Sequence, residues 1–177
     1  EVKRVEDSVR KPDLNEQFEQ LYAQYADDVL RMAYFYLADR QKAEDVCQDV
    51  FVKLYTRGEA IAPGREKAWL LRVTVNCCRD LWRSAWLKRV VLGAPTLDIM
   101  PAQEESIEQR EEKAELMRAI QKLPAPFKET ILLHYYQDMG ISEIAQMLNL
   151  PEGTISSRLS RARKKLESLL KEGETGE

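Results

Sequence analysis

The chain has 177 residues, of which 32% are charged and 44% hydrophobic, and its formal net charge is −3. This composition is typical of a soluble, folded, helix-rich protein with one or two domains, and the net charge does not predict a polyanionic partner. A single histidine and three cysteines without a C-x-x-C pair predict no metal site, and we expect no cofactor. No apolar run approaches the roughly 20 residues of a membrane span, so we expect a cytoplasmic protein.

The first half of the chain predicts three helices, because apolar residues recur there at intervals of three and four. The predicted spans are residues 15–37, 41–55 and 66–88. A loop over residues 58–66 contains Pro63 and Gly64, which favour a turn. The residues expected to face inward on the second and third helices are Ala43, Val46, Val50, Phe51, Leu54, Trp69, Leu70, Val73, Asn76 or Cys77, and Leu81.

A change of composition follows the third helix. Residues 91–105 are rich in glycine and proline and carry only acidic charges, which predicts a flexible linker. A solvated loop within one domain is the alternative. We therefore predict an all-α protein with two small helical domains, at residues 13–90 and 106–172. The second domain has four predicted helices, the third of which would begin at Ser142 as its N-cap.

The last two helices form a helix-turn-helix pattern. A short helix ends at a turn over residues 150–153, and a long helix follows with an apolar stripe through Ile155 and Leu159. The opposite face combines short hydroxyls with long cations, which suits the major groove of DNA and its phosphates. A solvated basic helix on a bundle is the alternative. The candidate DNA-binding residues are Thr154, Ser156, Ser157, Arg158, Ser160, Arg161, Arg163 and Lys164.

The third helix mixes tryptophans with cations. Stacking rings and phosphate partners are what melted DNA requires, although a tryptophan core with a solvated rim is the plainer interpretation. The second helix instead carries an acidic and amide face that would repel phosphate. Its residues Glu44, Asp45, Gln48 and Asp49 indicate either a protein-docking face or a solvated one.

Three segments in order resemble one known family. KAEDVCQDVFVKLY and KAWLLRVTVNCCRDLWR resemble region 2 of the extracytoplasmic-function (group 4) sigma factors of bacterial RNA polymerase, within the sigma-70 family. LPAPFKETILLHYYQDMGISEIAQMLNLPEGTISSRLSRARKKL resembles their region 4. The match spans nearly all of residues 13–171. The Arg/Lys run that many relatives have after the Asp-x-x-Arg segment is replaced here by Ala85, Trp86 and Leu87, and we interpret these as an apolar contact with the other domain or with an inhibitor.

The resemblance implies a non-catalytic promoter-specificity subunit with no small-molecule substrate. Its partners would be promoter DNA, the β′ coiled coil and β flap of core polymerase, and an anti-sigma factor that could hold it at the inner face of the membrane. The resemblance places polymerase docking on Glu44, Asp45, Gln48, Asp49 and Phe51. It places recognition and opening of the −10 element on Trp69, Arg72, Asn76, Arg79, Asp80 and Arg83, with the loop at residues 58–66 shaping a pocket for an extruded base.

The same resemblance assigns the −35 element to the helix-turn-helix residues named above. A conventional dimeric helix-turn-helix regulator is the main alternative, and it predicts binding to a palindromic duplex without polymerase. A protein-interaction module that sequesters a regulator is a third possibility. The basic residues on both predicted DNA surfaces argue against it.

Overall fold

A computed structural model describes residues 13–92 and 106–174. All regular structure in these two ranges is helical, which confirms the all-α prediction. The predicted linker, residues 91–105, lies almost wholly outside the described residues. The helices are α1 (Leu14–Leu37), α2 (Arg40–Thr56), α3 (Glu66–Leu92), α4 (Ile107–Lys122), α5 (Ala125–Ile131), a π-helical turn (Leu132–Tyr136), α6 (Ile141–Leu148) and α7 (Glu152–Glu174).

The first unit is formed by α1, α2 and α3, which pack against one another. Ala38 ends α1 in the left-handed conformation, and Asp39 then caps α2 by accepting a hydrogen bond from the backbone N–H of Lys42 at 3.0 Å. Partial burial opposes ionisation of Asp39, but the hydrogen bonds and charge of Lys42 outweigh it and lower the pKa of this carboxyl. The abrupt turn between α1 and α2 is therefore held by a local cap.

The buried stripe of α3 differs from the predicted one. The predicted residues Leu70 and Cys77 are buried, whereas Leu81 is exposed. The other buried residues of α3 are Leu71, Thr74, Val75 and Cys78. The helical period explains the difference: steps of three and four from Leu71 through Thr74, Val75 and Cys78 lead to Trp82, which packs against the core, and not to Leu81.

The second unit departs from the prediction at two helix boundaries. The single helix predicted between Pro124 and Asp138 is interrupted by the π-helical turn, in which the N–H of Gln137 donates to the carbonyl of Leu132 at 3.2 Å. Ser142 is not the N-cap, because α6 begins at Ile141 and its N-cap is Gly140, two residues before Ser142. The Glu143 carboxylate accepts from the Gly140 N–H at 2.7 Å, and this bond replaces the predicted serine cap.

The turn of the helix-turn-helix is built on Asn149. It ends α6 in the left-handed region, with φ 54°, which asparagine tolerates well. The Leu150 N–H then donates to the Ala145 carbonyl at 2.9 Å, and the Pro151 carbonyl accepts from Thr154 and Ile155. Because α7 begins at Glu152, the second half of the predicted turn is helix.

The two units pack against each other through a continuous core. The helix α1 contacts α4 and the π-helical turn, and α3 contacts α6. The rings of Phe35 and Tyr136 lie with centroids 4.2 Å apart across this boundary. Among the described residues, no helix is both long and apolar enough to cross a membrane.

Candidate nucleic-acid interface

The outward face of α7 separates from its buried stripe as predicted. Ile155, Leu159 and Ala162 are fully buried, while Ser156, Ser160 and Arg161 are exposed on the opposite side. The exposed face of α7 can therefore bind a ligand without any rearrangement of the buried side chains. The remaining candidates divide by exposure: Arg163 and Lys164 are exposed, and Thr154, Ser157 and Arg158 are half-buried.

The N-terminal end of α7 is sterically open. A Cβ atom built on Gly153 would meet no heavy atom within 4 Å. The first turn of a helix presents backbone N–H groups that have no partner within the helix, and these groups bind phosphate well. A DNA backbone could therefore approach this end closely.

A second candidate surface lies along α3. Trp69, Arg72, Asn76, Arg79 and Arg83 are spaced by three or four residues and so share one side of the helix. Of the six residues predicted for this surface, Arg72, Asn76, Asp80 and Arg83 are exposed.

The sequence left open whether Trp69 belongs to the core or to a DNA-binding surface, and its position is compatible with both. It is half-buried and packs against the core. The Arg57 guanidinium also stacks over its ring, 5.3 Å from the ring centroid. Cation–π contacts of this kind hold a ring in place while one edge stays accessible.

A cavity of about 470 Å³ lies beside Trp69 at the boundary of the two units. The loop at residues 58–66 supplies one wall, and its Gly58 and Gly64 adopt φ 72° and 79°, which favour glycine. Arg72 lines the cavity on the first unit, and Glu143 and Gln146 line it on the second. A cavity therefore lies where the sequence predicts a base pocket, and residues of the second unit form part of its wall.

Arg79 is partly buried, because Glu129 binds its guanidinium. Its Nε and Nη2 donate to the two carboxylate oxygens of Glu129, at 2.9 and 2.8 Å. The hydroxyl of Tyr36 donates to the same carboxylate at 2.9 Å. The bidentate bond to Glu129 raises the pKa of Arg79, and burial followed by the Glu129 charge raises the pKa of Tyr36.

Lys128 is the second buried charge at this boundary. Its side chain is fully buried, and its ammonium donates to the Tyr36 carbonyl at 3.3 Å and to Gln121 Oε1 at 3.2 Å. The ammonium also lies 3.4 Å from the centroid of the Trp82 ring. Lys128 and Glu129 were missed at the sequence level, because charged residues are rarely buried and no motif marks them.

The acidic face of α2 is exposed at Asp45, Gln48 and Asp49, and Glu44 pairs there with Arg40 at 3.0 Å.

Phe51, which was predicted to dock, is buried at 3% exposure and points into the core. It lies within an aromatic cluster, 4.8 Å from Tyr22 between ring centroids. The sequence signal for its burial was present, since its spacing also placed it on the inward stripe. The exposed apolar residues beside the acidic face are Val52 and Tyr55, neither of which was predicted.

Comparison with known proteins agrees with this geometry. The family model described as "Sigma-70 region 2" matches residues 21–88, and "Sigma-70, region 4" matches residues 113–166. The RNA polymerase sigma-E factor of Streptomyces antibioticus is 32% identical over 148 residues, which cover 82% of this chain and 80% of that protein. The ECF RNA polymerase sigma factor SigE of Mycolicibacterium smegmatis is 29% identical over 157 residues, or 86% of this chain, which spans only 61% of that relative.

Two solved structures share the fold. The sigma factor RpoE, in complex with the anti-sigma factor NepR from Bartonella quintana, is 27% identical with a TM-score of 0.71, over 87% of this chain and 96% of that one. CnrH, in complex with the cytosolic domain of CnrY, is 26% identical with a TM-score of 0.61, over 87% of each chain. Both sigma-70 regions and the two surfaces thus occur in one chain, which belongs to the extracytoplasmic-function group of the sigma-70 family of RNA polymerase sigma factors.

Proposed function

We propose that this protein directs core RNA polymerase to specific promoters and helps to open them, without catalysing a reaction itself. The observation that carries the proposal is the exposed hydroxyl and cation face of α7 above a fully buried stripe. Short polar side chains and an arginine on a major-groove helix can read base edges. The second unit would therefore read the −35 element as duplex.

In this proposal the base contacts of the −35 element come from Ser156, Ser157, Ser160 and Arg161. Thr154, Arg158, Arg163 and Lys164 contact phosphates, which position the helix but carry no sequence information. The first unit reads the −10 element through the α3 surface. Asn76 and the cavity beside Trp69 hold an extruded base. Stacking and hydrogen bonds in the cavity must offset the free energy of extrusion, which is on the order of 2–4 kcal/mol.

Polymerase docking is assigned to the acidic face of α2. Asp45, Gln48 and Asp49 offer exposed acceptors, and Val52 and Tyr55 extend the face with apolar area. A polar patch with an aromatic rim fits a protein partner better than DNA, because the carboxylates repel phosphate. The β′ coiled coil is the proposed partner here, and the β flap is the proposed partner of the second unit.

An anti-sigma factor is a further proposed partner. It rests on the likeness to RpoE, whose structure contains the anti-sigma factor NepR. We place the protein in the cytoplasm, held at the inner face of the membrane where its anti-sigma factor is membrane-anchored.

Run-off transcription with core polymerase on genomic promoter fragments tests the proposal. We expect transcripts only when this protein and core polymerase are both present. Gel shifts of the same fragments should be strong with the holoenzyme and weak with the protein alone. A strong shift of a palindromic duplex by the protein alone, without transcription, would instead support a dimeric regulator.

A further inference from the structure

The three cysteines have different chemical environments. The Cys47 thiol donates to the Ala26 carbonyl, with the sulfur 3.8 Å from the oxygen, and burial raises the pKa of this thiol. Cys78 is fully buried, and burial raises its pKa as well. Because a cysteine reacts as the thiolate, both environments oppose reaction at sulfur.

Cys77 differs from the other two, because it contacts an ammonium group. The Nζ of Lys53 donates to the Cys77 sulfur at 3.3 Å, so this sulfur accepts a hydrogen bond. Cys77 is 8% exposed, and the Lys53 side chain is exposed on α2. A reagent as small as hydrogen peroxide can therefore reach the contact from solvent.

The contact between Lys53 and Cys77 joins two helices. The two residues are 24 positions apart in the chain, on α2 and α3, and these helices pack against each other. Their neighbours Leu54 and Cys78 are buried in the same core, which holds the two backbones in place. A lysine side chain is long and flexible, so its nitrogen can approach the sulfur without any movement of the helices.

Peroxide oxidation of such a pair has a defined product. The Cys77 thiolate attacks one oxygen of hydrogen peroxide, so that an S–O bond forms and the O–O bond breaks. The hydroxide that leaves takes up a proton to give water, and the sulfur is now a sulfenic acid. Lys53 then releases a proton, and its amine attacks the sulfur. An S–N bond forms, the S–O bond breaks, and a second water leaves, because sulfenic acids condense with nitrogen to sulfenamides.

The cross-link would lie between two surfaces of the first unit. Asp49 is one helical turn before Lys53, on the same side of α2, and Asn76 immediately precedes Cys77 on α3. Both Asp49 and Asn76 are exposed. A bond here would tie the acidic helix to the helix that carries the tryptophans and cations, and it would remove the ammonium charge of Lys53.

We propose that Cys77 and Lys53 form a peroxide-responsive modification site, at which oxidation joins α2 to α3 through a sulfur–nitrogen bond. Two molecules of a thiol reductant reverse the step: they become a disulfide, and the Cys77 thiol and the Lys53 amine are restored. The inference goes beyond the proposed function, because it depends on neither DNA nor polymerase. Its failure would leave the proposed function unaffected.

Peptide mapping by mass spectrometry after treatment with hydrogen peroxide tests the site. Cys47→Ser is the reference protein, because Cys47 and Lys53 share a tryptic peptide and a disulfide from Cys47 would lose the same two hydrogens. We expect a linked pair of peptides that has lost two hydrogens, is not cleaved after Lys53, and separates when dithiothreitol is added. The same treatment in urea should give little of this product, since unfolding removes the contact.

Four further variants in the reference protein identify the atoms involved. Cys77→Ser and Lys53→Gln should each abolish the link, whereas Cys78→Ala and Lys122→Gln should keep it. Lys122→Gln is the matched control for Lys53→Gln, because both lysines are exposed and the charge change is the same. If Cys77→Ser does not fold by circular dichroism, Lys53→Gln decides alone.

Lys53→Gln also makes the intermediate visible. The sulfenic acid of Cys77 then has no amine to condense with, so dimedone, which labels sulfenic acids, should label Cys77 about fivefold or more strongly than in the reference protein.

Two results would overturn the proposal. One is the absence of the linked peptides from the oxidised reference protein, and the other is their persistence in Lys53→Gln. Dimedone labelling of Cys77 that is no stronger in Lys53→Gln than in the reference protein would contradict capture by this lysine.

Discussion

Arg161→Ala is expected to weaken transcription in a way that depends on the base sequence of the −35 element. Arg161 is exposed on α7 while its neighbour Ala162 and the nearby Leu159 are fully buried, so the change removes a guanidinium without touching the core. A bidentate arginine–guanine pair contributes about 1–3 kcal/mol of base discrimination. That range corresponds to a loss of about 5- to 150-fold on the cognate promoter.

The assay is holoenzyme binding and run-off transcription on a promoter series in which each −35 base is substituted singly. At one position of the −35 element, substitution of the base should itself remove the contact with Arg161. On that promoter, wild type and Arg161→Ala should bind and transcribe equally. Arg163→Ala is the control, because a phosphate contact should weaken all sequences alike and reduce the slope of log affinity against log salt by about 0.9. Equal losses by Arg161→Ala on every −35 variant would refute base reading by this residue.

Three further predictions follow from other parts of the molecule. Asp49→Arg on the exposed face of α2 should lower core polymerase affinity about tenfold or more with unchanged thermal stability, as a titration can show. Asp39→Ala should lower the free energy of unfolding by about 0.5–2 kcal/mol, measured by urea denaturation at neutral pH. Because folding lowers the pKa of Asp39, the stability difference between wild type and variant is fully present above about pH 4. It decreases as the pH falls through the pKa of Asp39 in the folded protein. Gly153→Ala, which meets no neighbouring atom, should stabilise the fold by about 0.4–1 kcal/mol yet weaken −35 binding, and equal or tighter promoter binding would exclude close approach of a phosphate there.

The helices were largely predictable because their cause is local. Apolar residues at intervals of three and four specify which face of α7 is buried, and Ile155 and Leu159 lie where that spacing places them. The separate exposure of Ser156, Ser160 and Arg161 follows from the same period. In contrast, the N-cap of α6 was misassigned, since a glutamate bond to Gly140 competes with the serine that the local pattern favoured.

The contact between the units could not be predicted from local patterns. Lys128 and Glu129 are charged residues two and three positions after Pro126, near the start of a helix, and charged residues are rarely buried. Their burial depends on Arg79 and Tyr36, which are 50 and 93 residues away from Glu129 in the chain. Phe51 shows the same limit on a smaller scale: one residue could be assigned both to the core and to a docking face, and only packing decides between them.

The π-helical turn sets which side chains of the second unit contact α1. A π turn holds one residue more than an α turn, so the side chains that follow it are rotated about the helix axis by roughly 100°. That offset brings Tyr136 onto Phe35 and lets Gln137 Nε2 donate to the Asp28 carbonyl at 3.1 Å. A relative that lacks one residue between Leu132 and Tyr136 could keep every helix and every promoter-reading side chain. It would nevertheless present a different side of this segment to α1, so a single-residue change of length here would change the contact between the two units.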